Sequence, residues 1–393
     1  MNTEIRGPLR GRAPVPLSVL DPVVVGSGST AARALRGGVT LARTAERRGY
    51  HRFWVTEHHS VPGVATSCPA LILAHLAAHT WRIRLGSGGV MLPNHAPLVV
   101  AEQFGTLEAL APGRIDLGVG RAPGADLPTA TALRRTDPLL ERAEDYPRQV
   151  GELIRFLDDD FPEGHPLAGV HAVPGPVQSR VPGGVPASGR PPVWLLGSGG
   201  TGAQLAAALG LPFAFAHHIA PAATVAVLDL YRRAFRPSAV LDRPYAMVSV
   251  LAFAAAEETE ARRHALTGAH TMMRIRSSRP PGLVPDPGDC ERCELTPTQK
   301  EFVDGCLADT VCGTPQDVRA GLDELVDRTG AQELMIVSPA HSLPARIRSY
   351  ELIADAYGLA GSAVEQRPGD RDRAEGDVLV QMESARQLGK LPL

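Results

Sequence analysis

A carboxylate–histidine trio, a second histidine pair, two glycine-rich turns and one arginine are the residues of this chain whose types and spacing suit chemistry. Glu57-His58-His59 sets a carboxylate beside two imidazoles. Such a trio suits metal ligation or proton transfer near neutral pH; a structural Glu-His pair satisfying hydrogen bonds at the end of a sheet is the plain alternative. Adjacent residues on a strand point to opposite faces, so His58 and His59 are not expected to share one ion, and no metal is expected. His58 is the favoured proton carrier. A second pair, His217-His218, closes the run PFAFAHH. The segment Gly197-Ser198-Gly199-Gly200-Thr201-Gly202 reads G-x-G-x-x-G. A dinucleotide-binding fold would want an acidic residue roughly 20 positions further on, where this chain has His217-His218. The phosphate logic survives without that fold, because backbone N–H groups at a glycine-rich helix start bind anions; a tight turn without a ligand is the alternative. Arg121, before Ala-Pro-Gly, is either an anion holder or half of a rim ion pair. Cys290-x-x-Cys293 with Cys306 and Cys312 invites a zinc reading, but the later spacing matches no common zinc module, and incidental thiols are expected.

These residues need elements to hold them. Eight short, mostly apolar runs read as strands: PLSVLD ending at Asp21, RFWVTE at Glu57, IRLGSGGVML near Leu92 and RIDLGVGR at Arg121, then PVWLLGS at Ser198, PFAFAHH at His218, YAMVSVLAFAA from Tyr245 and ELMIVSP from Glu333. Such runs suit strands buried on both faces of a parallel sheet. Helix-like segments lie between them: Thr30 to Arg48, Pro69 to His79, Pro97 to Leu110, Tyr146 to Leu157, Gly202 to Leu209, Pro221 to Phe235, Glu257 to Arg276, Pro315 to Thr329 and Ala345 to Tyr357. Ser67 before Pro69, and Thr314 before Pro315, are expected to cap their helices. Strict alternation repeated eight times predicts an α/β fold of the closed (β/α)8 TIM-barrel kind, with irregular insertions at Gly124 to Asp145, Asp158 to Pro192 and Ser277 to Pro297 as lids or mobile surface. Residues 1–14 read as a flexible N-terminus, 15–360 as the barrel and 361–393 as a disordered tail. In a barrel of this kind the strand C-termini open onto the active site. Five consecutive strands place Glu57-His58, Gly88-Gly89, Gly120-Arg121, Ser198-Gly199-Gly200 and His217-His218 at that one rim.

Composition narrows the class. The chain has 393 residues, with 40 Lys+Arg against 42 Asp+Glu for a formal charge of -2. No basic patch stands out, so nucleic acid and anionic membrane are poor partners. No apolar stretch reaches the ~20 residues a membrane helix needs. An odd count of five cysteines points to a reducing, cytoplasmic setting.

The stretch RFWVTEHHSVPGVATSCPA, then RIRLGSGGVMLPNHAPLVVAEQFGTLEALAPGRIDLGVGRAPG, with PVWLLGS, GLPFAFAHHIAP, VCGTPQDVRAGLDELVDRTGAQELMIVS and RIRSYELIADAYGL in order, closely resembles the luciferase-like flavin-dependent monooxygenases, over about Val15 to Leu359. The resemblance implies a barrel with flavin mononucleotide (FMN) across its C-terminal mouth, and a homodimer. It implies that His58 is the catalytic histidine beside the flavin ring, Glu57 the glutamate below it, and Gly88-Gly89 a non-prolyl cis peptide under the ring. It also implies that Arg121 lies on the phosphate and pocket side. Gly120 stands where bacterial luciferase has a reactive cysteine, so thiol chemistry is not expected. The turn Ser198-Gly199-Gly200-Thr201-Gly202 matches the phosphate loop, and His218 is expected among the cofactor-binding residues. Relatives carry hydroxyl residues where this chain has Gly199 and Gly202. The expected activity is a two-component monooxygenase: a separate flavin reductase supplies reduced FMN, O2 is the co-substrate, and a small organic molecule is oxygenated by hydroxylation or Baeyer–Villiger chemistry. The alternatives are an accessory barrel paralogue with a weakened flavin site and a deazaflavin-dependent oxidoreductase. Apolar residues from Val61 to Ala65 and from Phe213 to Phe215 hint at an organic, weakly charged substrate.

Overall fold

The computed structural model describes residues 5–122, 126–134, 145–184, 189–276 and 282–359. The first eight strands are β1 Leu17–Asp21, β2 Arg52–Val55, β3 Arg84–Ser87, β4 Val90–Met91, β5 Ile115–Gly120, β6 Val193–Gly197, β7 Phe213–Ala216 and β8 Ala246–Ala254. They are followed by β9 Val311–Gly313 and β10 Glu333–Val337. All named pairings are parallel, and β10 pairs with both β8 and β1, which closes the sheet into a barrel. The predicted third strand is two pieces, β3 and β4, separated by the cis Gly88–Gly89 peptide; both pieces pair with β5. The short β9, absent from the strands expected from the sequence, extends the far end of β8 through Ala252 to Ala254.

Side chains alternate between two cores. One set, including Val19, Phe53, Leu85, Leu117, Phe213 and Phe215, packs outward against the helices. The other, with Leu20, Trp54, Trp194, Met247 and Met335, fills the barrel, where the rings of Trp54 and Trp194 meet edge to face at 5.4 Å. The interior is therefore a packed core rather than a channel, as expected for eight strands.

Below this layer, at the N-terminal end of the strands, lies a cluster of buried charges. Arg52 Nη1 bonds Asp116 at 2.8 Å, Arg52 Nε bonds Glu333 at 2.9 Å, and Arg84 Nη2 bonds Asp116 at 2.8 Å. Ser18 and Tyr245 donate to Glu333, and Trp54 Nε1 donates to Asp116. Arg52 also donates to the carbonyl of Ile5. That contact corrects the expectation of a flexible start. Ile5 is fully buried and Arg12 N–H donates to Tyr357 O, so the chain is tied to the barrel floor from residue 5 onward.

Helix ends follow local chemistry. Thr30 caps Ala31–Arg47, and Thr314 with Asp317 forms a capping box on Pro315–Thr329. The latter helix ends at Gly330, whose φ of 58° is left-handed. Ser67 does not cap: Cys68 occupies the N-cap of Pro69–Ala77 without a side-chain bond. The helix after β6 starts two residues earlier than expected, at Gly200. A further helix, Pro297–Ala308, goes beyond those expected from the sequence, although Thr296 and Gln299 form a capping box. The first and third expected insertions carry helices Leu127–Arg134 and Pro287–Arg292, and the second carries a four-residue helical turn, Val177–Arg180. The expected tail, 361–393, lies outside the described residues. Among the described residues no helix is long and apolar enough to cross a membrane.

Candidate active site

At the opposite end of the barrel, Glu57 and His58 leave β2 in adjacent positions and take different surroundings. Glu57 is fully buried. Its Oε1 accepts from His59 Nε2 and from His95 Nε2, each at 2.8 Å, and its Oε2 accepts from the Met91 amide at 3.1 Å. Burial alone would push this carboxyl up. The His95 bond and charge, with the bonds from His59 and Met91, outweigh it and hold Glu57 below the ordinary carboxylate value. Glu57, His59 and His95 each place one ligating atom within 4.8 Å of the others, the residue set of a two-histidine, one-carboxylate metal site. Both imidazoles meet the same oxygen at hydrogen-bond distance, so the arrangement reads as one carboxylate positioning two N–H donors. The sequence alone pairs Glu57 with its neighbours and does not reveal His95, whose only local signal is its place in the proline-flanked PNHAP.

His58 turns away from this group. Its Nδ1 lies 3.0 Å from Thr56 Oγ1, which lies 2.9 Å from Thr66 Oγ1, and Thr66 donates to the carbonyl of Pro22. The direction of this chain follows from its last member. A carbonyl only accepts, so Thr66 uses its hydrogen there and accepts from Thr56, which then accepts from His58 Nδ1–H. His58 Nε2 is left as a lone pair. Burial lowers the pKa of His58, with a partial opposing pull from Glu57, so the ring is neutral at pH 7.

His218 repeats the device after β7. Its Nδ1 is 2.9 Å from Ser249 Oγ, and Ser249 donates to the carbonyl of Phe215. By the same logic His218 carries its proton on Nδ1 and presents Nε2 as an acceptor. Burial pushes it down to about 4, with His217 and His58 adding to the fall. His217, the other member of the pair, is bonded through Nδ1 to Thr224 Oγ1 at 2.7 Å, in the first turn of the next helix, Thr224–Ala234. The structure thus brings His58 and His218 within electrostatic reach of each other and gives His217 to the neighbouring helix start.

The glycines sit where close packing requires them. A Cβ on Gly88 would lie 2.6 Å from Leu20 Cδ1, and one on Gly89 would lie 2.9 Å from the Gly118 carbonyl. The phosphate-type turn differs. Gly199 is an extended N-cap with no side-chain bond to the helix Gly200–Leu209, and a Cβ there would meet nothing within 4 Å. The first-turn amides of Gly200, Thr201 and Gly202 are therefore uncapped beside open space, with Thr201 exposed and Ser198 partly buried. Arg121 is exposed at the end of β5, the neighbour of β6, and lies near Tyr146; among the described residues it makes no ion pair. Gly120 faces Met91, whose Sδ would lie 3.3 Å from a Cβ at that position.

A cavity of about 290 Å³ opens beside His218, between the ends of β7, β8 and β10 and the helices Glu258–Arg276 and Pro297–Ala308. Phe213 and Phe215, expected to flank a substrate, are instead buried in the outer core. The apolar wall is made by Leu251, Phe253, Met272, Phe302 and Val337. Cys306 also lies on this wall, while Cys290 and Cys293 are on the short helix Pro287–Arg292 and its end, and Cys312 is in β9. All are free thiols, and among the described residues no metal-ligating cluster includes them.

Comparison with known proteins agrees with this fold. The family model for luciferase-like monooxygenase matches residues 15–333. A luciferase-like monooxygenase of Escherichia coli (strain K12) is 41% identical over 87% of this chain and 96% of its own length. The N-acetyl-S-alkylcysteine monooxygenase of Bacillus subtilis (strain 168) is 36% identical over 86% of this chain and 97% of its own. The crystal structure of apo-MsnO8 is 38% identical, with a TM-score of 0.76, covering 88% of this chain and 98% of that one. The barrel is also shared, at 18% and 13% identity, by a diketocamphane monooxygenase component of Pseudomonas putida in complex with FMN and by an F420-dependent secondary alcohol dehydrogenase. A parallel barrel whose strand ends gather Glu57, His58 and the Gly197–Gly202 turn, and a family model that spans most of the chain, together establish that this protein belongs to the luciferase-like monooxygenase family.

Proposed function

We propose that this protein is the oxygenase of a two-component system, taking reduced FMN from a separate reductase and using O2 to oxygenate a small organic molecule. The observation that carries the reading is the mouth itself. Uncapped glycine amides after β6 and the exposed Arg121 on adjacent β5 suit a phosphate, and a neutral histidine with an uncommitted Nε2 stands on the other side of the barrel. The residues fit FMN on a structural ground: the space beside Gly199 is open, and nothing in the first turn of the helix satisfies its amides. When bound, reduced flavin supplies the two electrons with which one oxygen atom enters the substrate and the other leaves as water. Arg121 and the amides of Gly200, Thr201 and Gly202 hold the phosphate. Gly88 and Gly89 keep the floor flat, since neither carries a Cβ. His58 takes up or returns a proton at Nε2, and the Thr56–Thr66 chain fixes its ring and tautomer. Glu57 positions His59 and His95. Among the described residues no nicotinamide-binding module is evident, which is why the reductase is placed on another protein; the family resemblance favours a homodimer, and the odd cysteine count a cytoplasmic setting.

The substrate type named for the Bacillus relative supplies a first probe. With reduced FMN, a reductase and ¹⁸O₂, N-acetyl-S-methylcysteine or a simple ketone should gain one labelled oxygen. His58→Ala should slow that product by roughly 10²–10⁴-fold. Labelled product at the wild-type rate from His58→Ala would remove its assigned role. The glycines at 199 and 202 favour a second reading, an accessory paralogue that keeps the barrel and binds flavin weakly. Absence of saturable flavin binding in the wild type, restored by Gly199→Ser, would favour that reading, and binding of a deazaflavin in preference to FMN would point to hydride transfer instead.

A further inference from the structure

The cavity beside His218 is lined by three neutral polar side chains, His218, Ser338 and Thr310, the two hydroxyls donating to Ala252 O and Cys306 O, and by charges at its outer rim. Its wall is aliphatic and aromatic, and the helix Pro297–Ala308 closes it from outside. At the rim stand Arg276, stacked over Phe302 at 5.5 Å, with Glu301 and Asp309. Charges of both signs on an exposed rim give little net preference for an ionic head group. At the inner end His218 uses Nδ1–H on Ser249, which is itself committed to Phe215 O, so the group left for a ligand is an acceptor. His218 and His58 are also near enough to influence each other, which connects the cavity with the mouth.

We propose that this cavity is the organic-substrate pocket, and that His218 serves the substrate rather than the cofactor, selecting a neutral, largely apolar molecule that carries one hydrogen-bond donor, a hydroxyl or an N–H, near the atom to be oxygenated. The assignment rests on the oxygenase reading for the word substrate, but the binding preference can be measured without flavin. A pocket built to accept a hydrogen bond leaves that acceptor unpaired when the ligand lacks a donor, so the discrimination is directional. His218 is the positioning residue; the apolar wall supplies affinity without chemistry.

The test uses the full-length protein and 1-anilinonaphthalene-8-sulfonate as a fluorescent probe, displaced by 1-octanol or by heptyl methyl ether, which have the same number of heavy atoms. Wild type should bind the alcohol about three- to tenfold more tightly than the ether. His218→Phe should abolish the preference while keeping ether binding, and His218→Gln, which retains an acceptor, should keep part of it. Gly305 lines the cavity and a Cβ there meets nothing within 4 Å, so Gly305→Trp should fill the space and stop displaceable binding by both ligands. Equal affinity for alcohol and ether in wild type overturns the proposal without any variant. Displaceable binding that survives Gly305→Trp overturns the location. Reduced FMN titrated into the same samples separates the two readings: loss of flavin binding alone sinks the oxygenase assignment and leaves the donor preference standing.

Discussion

At the N-terminal end of the barrel Arg52, Arg84 and Asp116 are buried as ions and joined with Glu333 by hydrogen bonds. At the C-terminal end His58 and His218 are buried as neutral rings, each with one nitrogen bonded and one uncommitted. Burial acts on both. Below, the two carboxylates differ: Asp116, which burial alone would push up, is held down at about 2 by Arg52 and Arg84, whereas at Glu333 burial prevails over Arg52 and Ser18 and raises it. Above, no carboxylate among the described residues bonds either ring, so burial prevails and both histidines stay uncharged. One end is saturated and serves stability. The other keeps lone pairs available, which is what proton transfer and substrate selection require.

The sharpest way to break this comparison is to remove the shared carboxylate below. Asp116→Asn leaves Arg52 to Glu333 and the Ile5 carbonyl, and Arg84 to backbone carbonyls, and should cost about 3–5 kcal/mol in urea unfolding. The folded fraction should bind reduced FMN with unchanged affinity. A loss below ~1 kcal/mol would show that the floor is not a saturated ionic cluster. At the mouth, Glu57→Gln leaves two imidazoles facing one neutral amide and should cost about 1–3 kcal/mol. It should also weaken flavin binding, a coupling that Asp116→Asn lacks.

The mouth histidines should also show in the pH dependence of stability, alongside the buried His51 at the floor. The unfolded chain protonates its histidines below about pH 6.5, whereas the folded-state pKa of His58 lies lower and that of His218 is about 4. The unfolded state then binds more protons, so stability falls as pH drops from 6.5 toward 4, by up to ~1.4 kcal/mol per pH unit for each fully shifted ring. His218→Phe should flatten part of that slope. Asp116 contributes stability that is complete above about 3.8 and is lost only as pH falls toward 2. A pH–stability curve without a slope above pH 4 would contradict the neutral-mouth account. The smallest change is Gly199→Ser, which fits open space and adds one hydroxyl at the phosphate turn; it should tighten flavin binding by up to about tenfold at unchanged stability.

Legibility in the sequence follows the range of the interactions. Apolar runs that contain Gly88-Gly89 or end in Arg121 or His217-His218 reveal the strands and their functional rim, because the signal is local. His95 escapes a reading of the sequence because its link to Glu57 spans 38 positions and leaves no periodic trace. The floor escapes it for the same reason: Arg52, Arg84, Asp116 and Glu333 are scattered single charges that become a cluster only when the barrel closes. Ile5 reads as part of a loose end because nothing nearby reveals that Arg52 will meet its carbonyl. Helix Pro297–Ala308 is a different failure. Its Thr296–Gln299 capping box is readable, but polar residues and Gly305 blur the apolar stripe behind it.

The most direct test of the mouth's assignment is anaerobic titration of reduced FMN into the full-length protein, followed by absorbance, with Arg121→Ala alongside. Saturable binding at micromolar concentration or tighter in wild type, weakened about tenfold or more in Arg121→Ala, is the predicted result. No saturable binding, or equal binding by both proteins, would contradict the assignment of the β5–β6 rim to the flavin phosphate.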